Sequence, residues 1–387
     1  MVTNLDVSVC LAQGHRDYME DECLVQQDFV AVFDGHGGPS VSKYLRQNLF
    51  AHLQAILPRV VEYRKLEPSL VQQNEQEQEQ QTEAEQEESI TTASTTSSSN
   101  KNNLPEPTVQ DYCVALRMAL DTVDKEVQKI NHWSYQGSTA VAAWLHYNTT
   151  SSSTSSTPTT DDTRTTTTTT TLIVANIGDS RAIVGRNGTT IPLTRDHKPD
   201  DPSETKRIEQ AGGSVVWCGP RDSKTGQPLL EQGIYRVNGN LALSRAIGDR
   251  SERPAVTATP DLTYLQVLLP TTATPSTTTF DTVVDNMDSS SSSPTTTKEY
   301  VVLATDGLWD VFTNQEVVQV IDLLLDKVQP HQRPKIAEIL VREALRRGAY
   351  DNITVIIVWL QVPPTTMPAE EEEKGTPASA DPSSSKS

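Results

Sequence analysis

The chain has 387 residues, with 32 Lys and Arg against 51 Asp and Glu, a formal net charge of −19. So acidic a chain, with no basic stripe, is unsuited to binding nucleic acid, and its four cysteines (Cys10, Cys23, Cys113 and Cys218) show neither CxxC nor ladder spacing, which points away from zinc and from a disulfide framework. The longest apolar run, Val355 to Leu360, is too short to span a bilayer, and Met1 to Cys10 lacks a basic region followed by an apolar block, so a soluble monomer without membrane partners is expected, in the reducing cytoplasm or nucleus.

Four stretches are too poor in apolar residues to bury a core: 72–103, rich in Gln, Glu, Ser and Thr; 149–171, nearly all Thr and Ser; 271–297, again Ser and Thr; and a tail over 363–387. The segments between them are too short and too strand-rich to fold separately. One domain over 1–362, with three disordered insertions and a disordered tail, is therefore expected.

In chain order, Leu5 to Leu11, Cys23 to Gln26 and Phe29 to Phe33 read as strands of an opening meander. The last of them runs into Asp34-Gly35-His36-Gly37-Gly38. Asp-Gly is also a hairpin signal, but a hairpin needs a strand next, and Val41, Tyr44, Leu45, Leu49, Leu53 and Ile56 recur at helical spacing instead, predicting a helix from about Pro39 to Leu57. A second long helix is predicted over Val109 to Ile130. Gly137 to Leu145 and Leu172 to Gly178 read as two core strands of a hairpin whose loop has grown into the Thr/Ser tract, since loop-closure entropy rises only slowly with length. Ala182 to Arg186 is a further strand ending at Asn187-Gly188. The part from Leu193 to Asp261 carries one short helix pattern, Glu204 to Ala211, and is otherwise turn-rich, a flap beside the main core.

After a strand near Leu262 to Leu269, the run Tyr300 to Thr305 ends in Asp306-Gly307-Leu308-Trp309-Asp310, repeating the opening device of an apolar strand followed by Asp-Gly. Helices over Asn314 to Lys327 and Pro334 to Arg347 follow, then Asp351-Asn352 and the strand Ile353 to Leu360. Strands flanking paired helices without regular βαβ alternation indicate an α+β layered fold with mostly antiparallel sheets.

Asp34, Asp179, Asp306, Asp310 and Asp351 all sit at the edge of a strong strand. One such carboxylate is ordinarily a cap or a turn residue, but five on one rim repel each other unless a cation lies between them. With no Cys or His clustered among them the ligands would be oxygens, which suits Mg²⁺ or Mn²⁺. Two such ions could activate a water for attack on phosphorus.

The segments Arg16 to Asp21, Asp34 to Gly38, Gly178 to Arg181, Ser244 to Asp249, Asp306 to Asp310 and Asp351-Asn352 occur in the order and context of the metal-dependent type 2C protein phosphatases (PPM family), which the chain resembles over nearly everything outside the biased tracts. The resemblance implies a central β-sandwich of two mainly antiparallel sheets flanked by helices, a binuclear Mg²⁺ or Mn²⁺ centre at one rim, and phosphoserine and phosphothreonine proteins as substrates. Under it Asp34 bridges the two ions, Gly35 offers its carbonyl to one, and Asp306 and Asp351 complete the other. Glu20 and Asp21 act near the metals, Glu20 through water, and Asp179 and Asp310 with Asp306 resemble a weaker third site. Arg16 resembles the residue that grips the phosphate, for which a guanidinium fork is well shaped. His36 resembles the general acid for the departing oxygen. Ser180, Arg181 and Ser244 to Asp249 read as structural, and Trp144, Trp309 and Trp359 as core. The alternative readings are a non-catalytic relative acting as a phosphoprotein-binding module and, less suited to the acidic surface, a nuclease-like metallohydrolase.

Overall fold

The computed structural model describes residues 5–83, 105–152, 165–267 and 298–360. The first part of the chain forms β1 (Val7–Ala12), β2 (Glu22–Gln26), β3 (Phe29–Phe33), β4 (Gly35–His36), α1 (Ser40–Glu83) and α2 (Val109–Val127). The middle supplies β5 (Gly137–Ser138), β6 (Ala140–Ser152), β7 (Thr165–Ile177), β8 (Arg181–Arg186), β9 (Thr189–Pro192), α3 (Pro202–Gln210), β10 (Val215–Cys218), β11 (Ile234–Val237), β12 (Ile247–Gly248) and β13 (Asp261–Val267). The last part gives β14 (Glu299–Ala304), α4 (Asp306–Trp309), α5 (Asn314–Leu325), α6 (Ile336–Arg346) and β15 (Ile353–Trp359).

Two five-stranded sheets, ordered β13-β7-β6-β3-β2 and β1-β15-β14-β8-β9, pack face to face, and every neighbouring pair within them is antiparallel. The period-2 geometry of a strand explains why the central strands are apolar throughout. In β3, Val30 and Val32 face the second sheet, where they meet Val301, Leu303, Ile356 and Val358. Phe29, Ala31 and Phe33 point the other way, against Leu45, Leu49 and Leu53 of α1 and Leu116 and Leu120 of α2. On the opposite side, Val302, Val355 and Ile357 pack on Val318 and Ile321 of α5 and Leu340 of α6. The result is the expected α-β-β-α arrangement, with one apolar layer between the sheets and one under each helical pair. No helix among the described residues is long and apolar enough to cross a membrane.

Several boundaries differ from those read in the sequence. Helix α1 continues to Glu83, well past Leu57, because Gln and Glu are good helix formers. The β6–β7 ladder runs out to the pair Ser152 and Thr165, inside the Thr/Ser tract, since backbone pairing and β-branched threonine suffice to prolong a strand. The rest of the expected insertions, 84–103, 153–164 and 271–297, and the tail 363–387 lie outside the described residues. The opening is not a meander: β1 pairs with β15 in one sheet, while β2 and β3 belong to the other. Gly14, at φ +63°, turns the chain between the two; a side chain there would collide with the carbonyl of Asp351 at 2.1 Å. Residues 14–21 are thereby drawn across the rim where the sheets meet. Asn187-Gly188, at φ +49° and +81°, makes the tight β8–β9 hairpin that these two residue types favour.

The segment between β9 and β13 has its own small core of Ile208, Val237, Leu243, Ala246, Ala255 and Val256, with the β10–β11 hairpin on it. It is the flap expected from the sequence. Trp309 and Trp359 are buried, and Trp144 is half-buried against Phe29 and Tyr112.

Candidate metal and phosphate site

Strand ends deliver the carboxylates. Asp34 follows β3, Asp179 follows β7 across Gly178, Asp306 follows β14 across Thr305, and Asp351 precedes β15. One carboxylate oxygen each from Asp34, Asp179 and Asp306 lie within 4.8 Å of one another. Burial, then the neighbouring Asp306, Asp21, Asp179 and Asp351, push the Asp34 carboxyl well above its usual range. Asp306 is raised in the same way, by burial and then by Asp179, Asp310 and Asp351, with Lys198 opposing. Asp310 is raised too, by burial and by Asp179 and Asp351 against the pull of Lys198. Carboxylates raised in this way hold their charge less readily, and a further cation among them would offset their repulsion. Asp306 Oδ1 and Asp21 Oδ1 are buried with no hydrogen-bond partner among the described residues. Buried oxygens of that kind, in an all-oxygen donor set, fit a hard divalent ion such as Mg²⁺ or Mn²⁺.

The loop from Gly14 to Asp21 is stapled to the turn before β15. Asn352 Oδ1 accepts from the Glu20 amide at 2.8 Å, and Asn352 Nδ2 donates to the carbonyls of Gln13 and Tyr18 at 2.7 and 3.0 Å. This places the half-exposed Arg16 guanidinium on Asp351 Oδ2, in a charge-assisted contact at the mouth of the site. Glu20 Oε1 accepts from the Gly38 amide at 2.6 Å, so that oxygen is tied to the turn after His36. Asp21 Oδ2 accepts from Thr305 and Thr354 hydroxyls at 2.9 and 2.8 Å. Burial, only partly offset by these two bonds, raises the Asp21 carboxyl to about 7.

His36 and Gly35 belong to the small sheet β12-β5-β4, in which Gly35 pairs with Ser138 and His36 with Gly137. His36 Nε2 lies 2.7 Å from Asp249 Oδ2. Burial opposes the imidazolium, but the Asp249 carboxylate outweighs it and raises the His36 pKa. Asp249 is itself held in the left-handed region at φ +46°, just after Gly248, whose amide donates to Asp124 Oδ1 at 2.8 Å. Gly137 is where the pair meets: a Cβ there would stand 2.0 Å from Asp249 Oδ2 and 2.5 Å from His36 Nε2.

Of the residues singled out in the sequence, Asp34, Asp179 and Asp306 are thus brought into one group, with Asp21, Asp310 and Asp351 near enough to raise its members. Arg16, Glu20, Gly35 and His36 surround it. Two further residues, Lys198 and His197, join the site. Lys198 Nζ donates to Asp179 Oδ2; burial lowers its pKa but is outweighed by Asp179 and then by Asp306 and Asp196, which raise it. Its signal was the charged run Arg195-Asp196-His197-Lys198 after β9. His197, fully buried, accepts at Nδ1 from the Gly178 amide at 3.0 Å, so its proton is on Nε2, which faces Asp261 Oδ2 at 3.1 Å. A lone histidine in a turn-rich stretch gave no warning of that. Asp249, read as structural, is the partner of His36.

The model of the protein phosphatase 2C family matches residues 90–353. The probable protein phosphatase 2C 59 of Oryza sativa subsp. japonica is 30% identical over 355 residues, covering 89% of this chain and 72% of its own length. Among solved structures, a sex determining protein of C. elegans aligns with a TM-score of 0.59 at 22% identity, over 93% of this chain and 65% of its own. A phosphatase from a pathogenic strain of Toxoplasma gondii aligns with a TM-score of 0.56 at 19% identity, over 92% of this chain and 93% of its own. At those identities the two structures speak for the fold, while the family match and the rice relative speak for descent. The chain belongs to the protein phosphatase 2C family and is a protein phosphatase.

Proposed function

We propose that the protein hydrolyses phosphoserine and phosphothreonine in other proteins at a centre of two Mg²⁺ or Mn²⁺ ions, with a weaker third site. The observation that carries this is the group Asp34, Asp179 and Asp306, with its raised carboxyls and the orphaned oxygens of Asp306 and Asp21. Asp34, the Gly35 carbonyl, Asp306 and Asp351 would hold the two ions, with Glu20 and Asp21 beside them, and Asp179, Asp306 and Asp310 would hold the third. When bound, such ions polarise the phosphoryl group and make a water acidic enough to attack at neutral pH.

The chain's own groups do the rest. Arg16, already paired with Asp351, offers its free guanidinium edge to two phosphate oxygens and sets the phosphorus in line. His36, whose protonated form Asp249 favours, passes its proton to the departing serine or threonine oxygen. Asp249 then stabilises the neutral ring's orientation until a proton returns. A single domain, working in the cytoplasm or nucleus, accords with the four unpaired thiols.

The test is phosphate release from a phosphothreonine peptide. Release should require Mn²⁺ or Mg²⁺, stop with EDTA, and be lost in Asp306→Ala together with Mn²⁺ binding measured by calorimetry. Turnover without metal, or no turnover by a protein shown to bind it, would overturn the reading.

A further inference from the structure

Tyr135, Tyr18 and Tyr350, at 78, 74 and 67% exposure, are the most exposed aromatic side chains among the described residues. They come from three separate segments, and each backbone lies against the site. The Tyr18 carbonyl accepts from Asn352 Nδ2, and Tyr18 itself stands between Arg16 and Glu20. The Tyr350 carbonyl accepts from the His15 amide at 3.0 Å, and the next residue is Asp351. The Tyr135 carbonyl lies 2.3 Å from where a side chain on Gly37 would be, one residue past His36. None contributes to the core. Among the described residues Tyr18 and Tyr135 have no aromatic partner, and Tyr350 is stacked only on His15, with centroids 5.8 Å apart. Exposed aromatic rings on backbone that borders the site offer a ligand rigid contact surface.

The charge around them selects the ligand. Asp17, exposed beside Tyr18, has no ion-pair partner among the described residues. The cations at hand are committed: Arg16 to Asp351, Lys198 to Asp179, and Arg250, next to the Tyr135 turn, to the Gln128 carbonyl and Asn131. The chain as a whole carries −19. Tyrosine faces beside a free carboxylate attract guanidinium and ammonium groups.

We propose that Tyr18, Tyr135 and Tyr350 form an aromatic rim that engages basic side chains flanking the phosphorylated residue, so that this phosphatase prefers phosphoproteins with Arg or Lys beside the phosphoserine or phosphothreonine. The proposal rests on the phosphoprotein reading above and adds the sequence class of the substrate. The rim contributes no group to the chemistry; it sets selectivity.

The experiment compares two phosphothreonine peptides that differ only in carrying Arg or Glu on either side of the phosphoresidue. The ratio of kcat/KM, Arg-flanked to Glu-flanked, is measured for the full-length protein with Mn²⁺, for the triple Tyr→Ala variant and for the triple Tyr→Phe variant. The parent should favour the Arg-flanked peptide. The Ala variant should lose about tenfold or more of that preference and the Phe variant should keep it, because phenylalanine retains the ring face. If the triple variant does not fold, Tyr18→Ala and Tyr135→Ala, whose rings pack on no other ring, should each lower the ratio by about two- to fivefold. An unchanged ratio in the Ala variants, equal losses on both peptides, or a parent without preference would overturn the proposal. A parent that hydrolyses p-nitrophenyl phosphate but neither peptide would instead overturn the phosphoprotein reading, a result visible before any variant is made.

Discussion

Where His36 and Asp249 meet, the chain needs a residue with no side chain, and Gly137 supplies it. A methyl group there would have to displace the Asp249 carboxylate or the imidazole, both held by backbone pairing on either side. Gly137→Ala is therefore expected to part the pair without touching a carboxylate of the metal group. General acid catalysis is worth about 10²- to 10⁴-fold, so turnover of a phosphothreonine peptide should fall at least about 100-fold while calorimetric Mn²⁺ affinity is kept. Loss of Mn²⁺ binding together with turnover would mean that the small sheet supports the metal group and that His36 has no separate part.

At the scale of elements, the flap is fastened to the rim by one polar network. Glu204 of α3 accepts from Arg245 and Arg207, Arg245 also donates to Asp261 at 2.7 Å, and Asp261 faces His197, which receives the Gly178 amide next to Asp179. Burial works against the charge on Glu204, yet Arg245 and Arg207 bring its pKa down to about 2. Asp261 is likewise brought to about 2, burial being outweighed by His197 and Arg245. Both folded values lie below those of the unfolded chain, so the stability they contribute is present above about pH 4.5 and is lost as the pH falls toward 2. For Glu204, whose side chain is 2% exposed, a shift of that size corresponds to roughly 3 kcal/mol. Urea midpoints should drop between pH 5 and pH 3, and Glu204→Gln should be less stable at pH 7 with a shallower fall. Parallel pH profiles for the two proteins would exclude this account. Arg245→Ala removes one of the two guanidinium partners of the buried Glu204 carboxylate and leaves Arg207 in place, and should cost about 1.5–3 kcal/mol.

For the molecule as a whole, stability rests on the layer between the sheets. Leu303 is fully buried there, in mid-strand on β14, facing Val30, Val32 and their neighbours. Leu303→Ala should cost about 2–5 kcal/mol in urea unfolding, while the folded protein retains Mn²⁺ affinity, because the rim depends on where the strands end and not on the volume of one residue three positions before Asp306. Altered affinity in the folded variant would show that the rim shares the strain of the core.

What could be read in the sequence was whatever the chain signals locally. An apolar run is a central strand wherever it occurs, and an acid at its end lies on a rim whichever partner it finds; Asp34, Asp179, Asp306 and Asp351 were legible for that reason. The ordered motifs that resemble the type 2C phosphatases added Arg16, Glu20 and His36. The sequence did not say that β1 would leave β2 for β15, because strand pairing is a long-range choice that alternation does not encode. Nor could it mark where α1 and the β6–β7 ladder stop, since polar helix formers and threonines prolong either element by propensity alone. Asp249 and His36 are 213 residues apart, and Lys198 is an ordinary surface cation until the turn after β9 lays it on Asp179. Local pattern determined which residues reach the rim; only packing decided which of them touch, because contact between distant segments is set by the layers they are folded into.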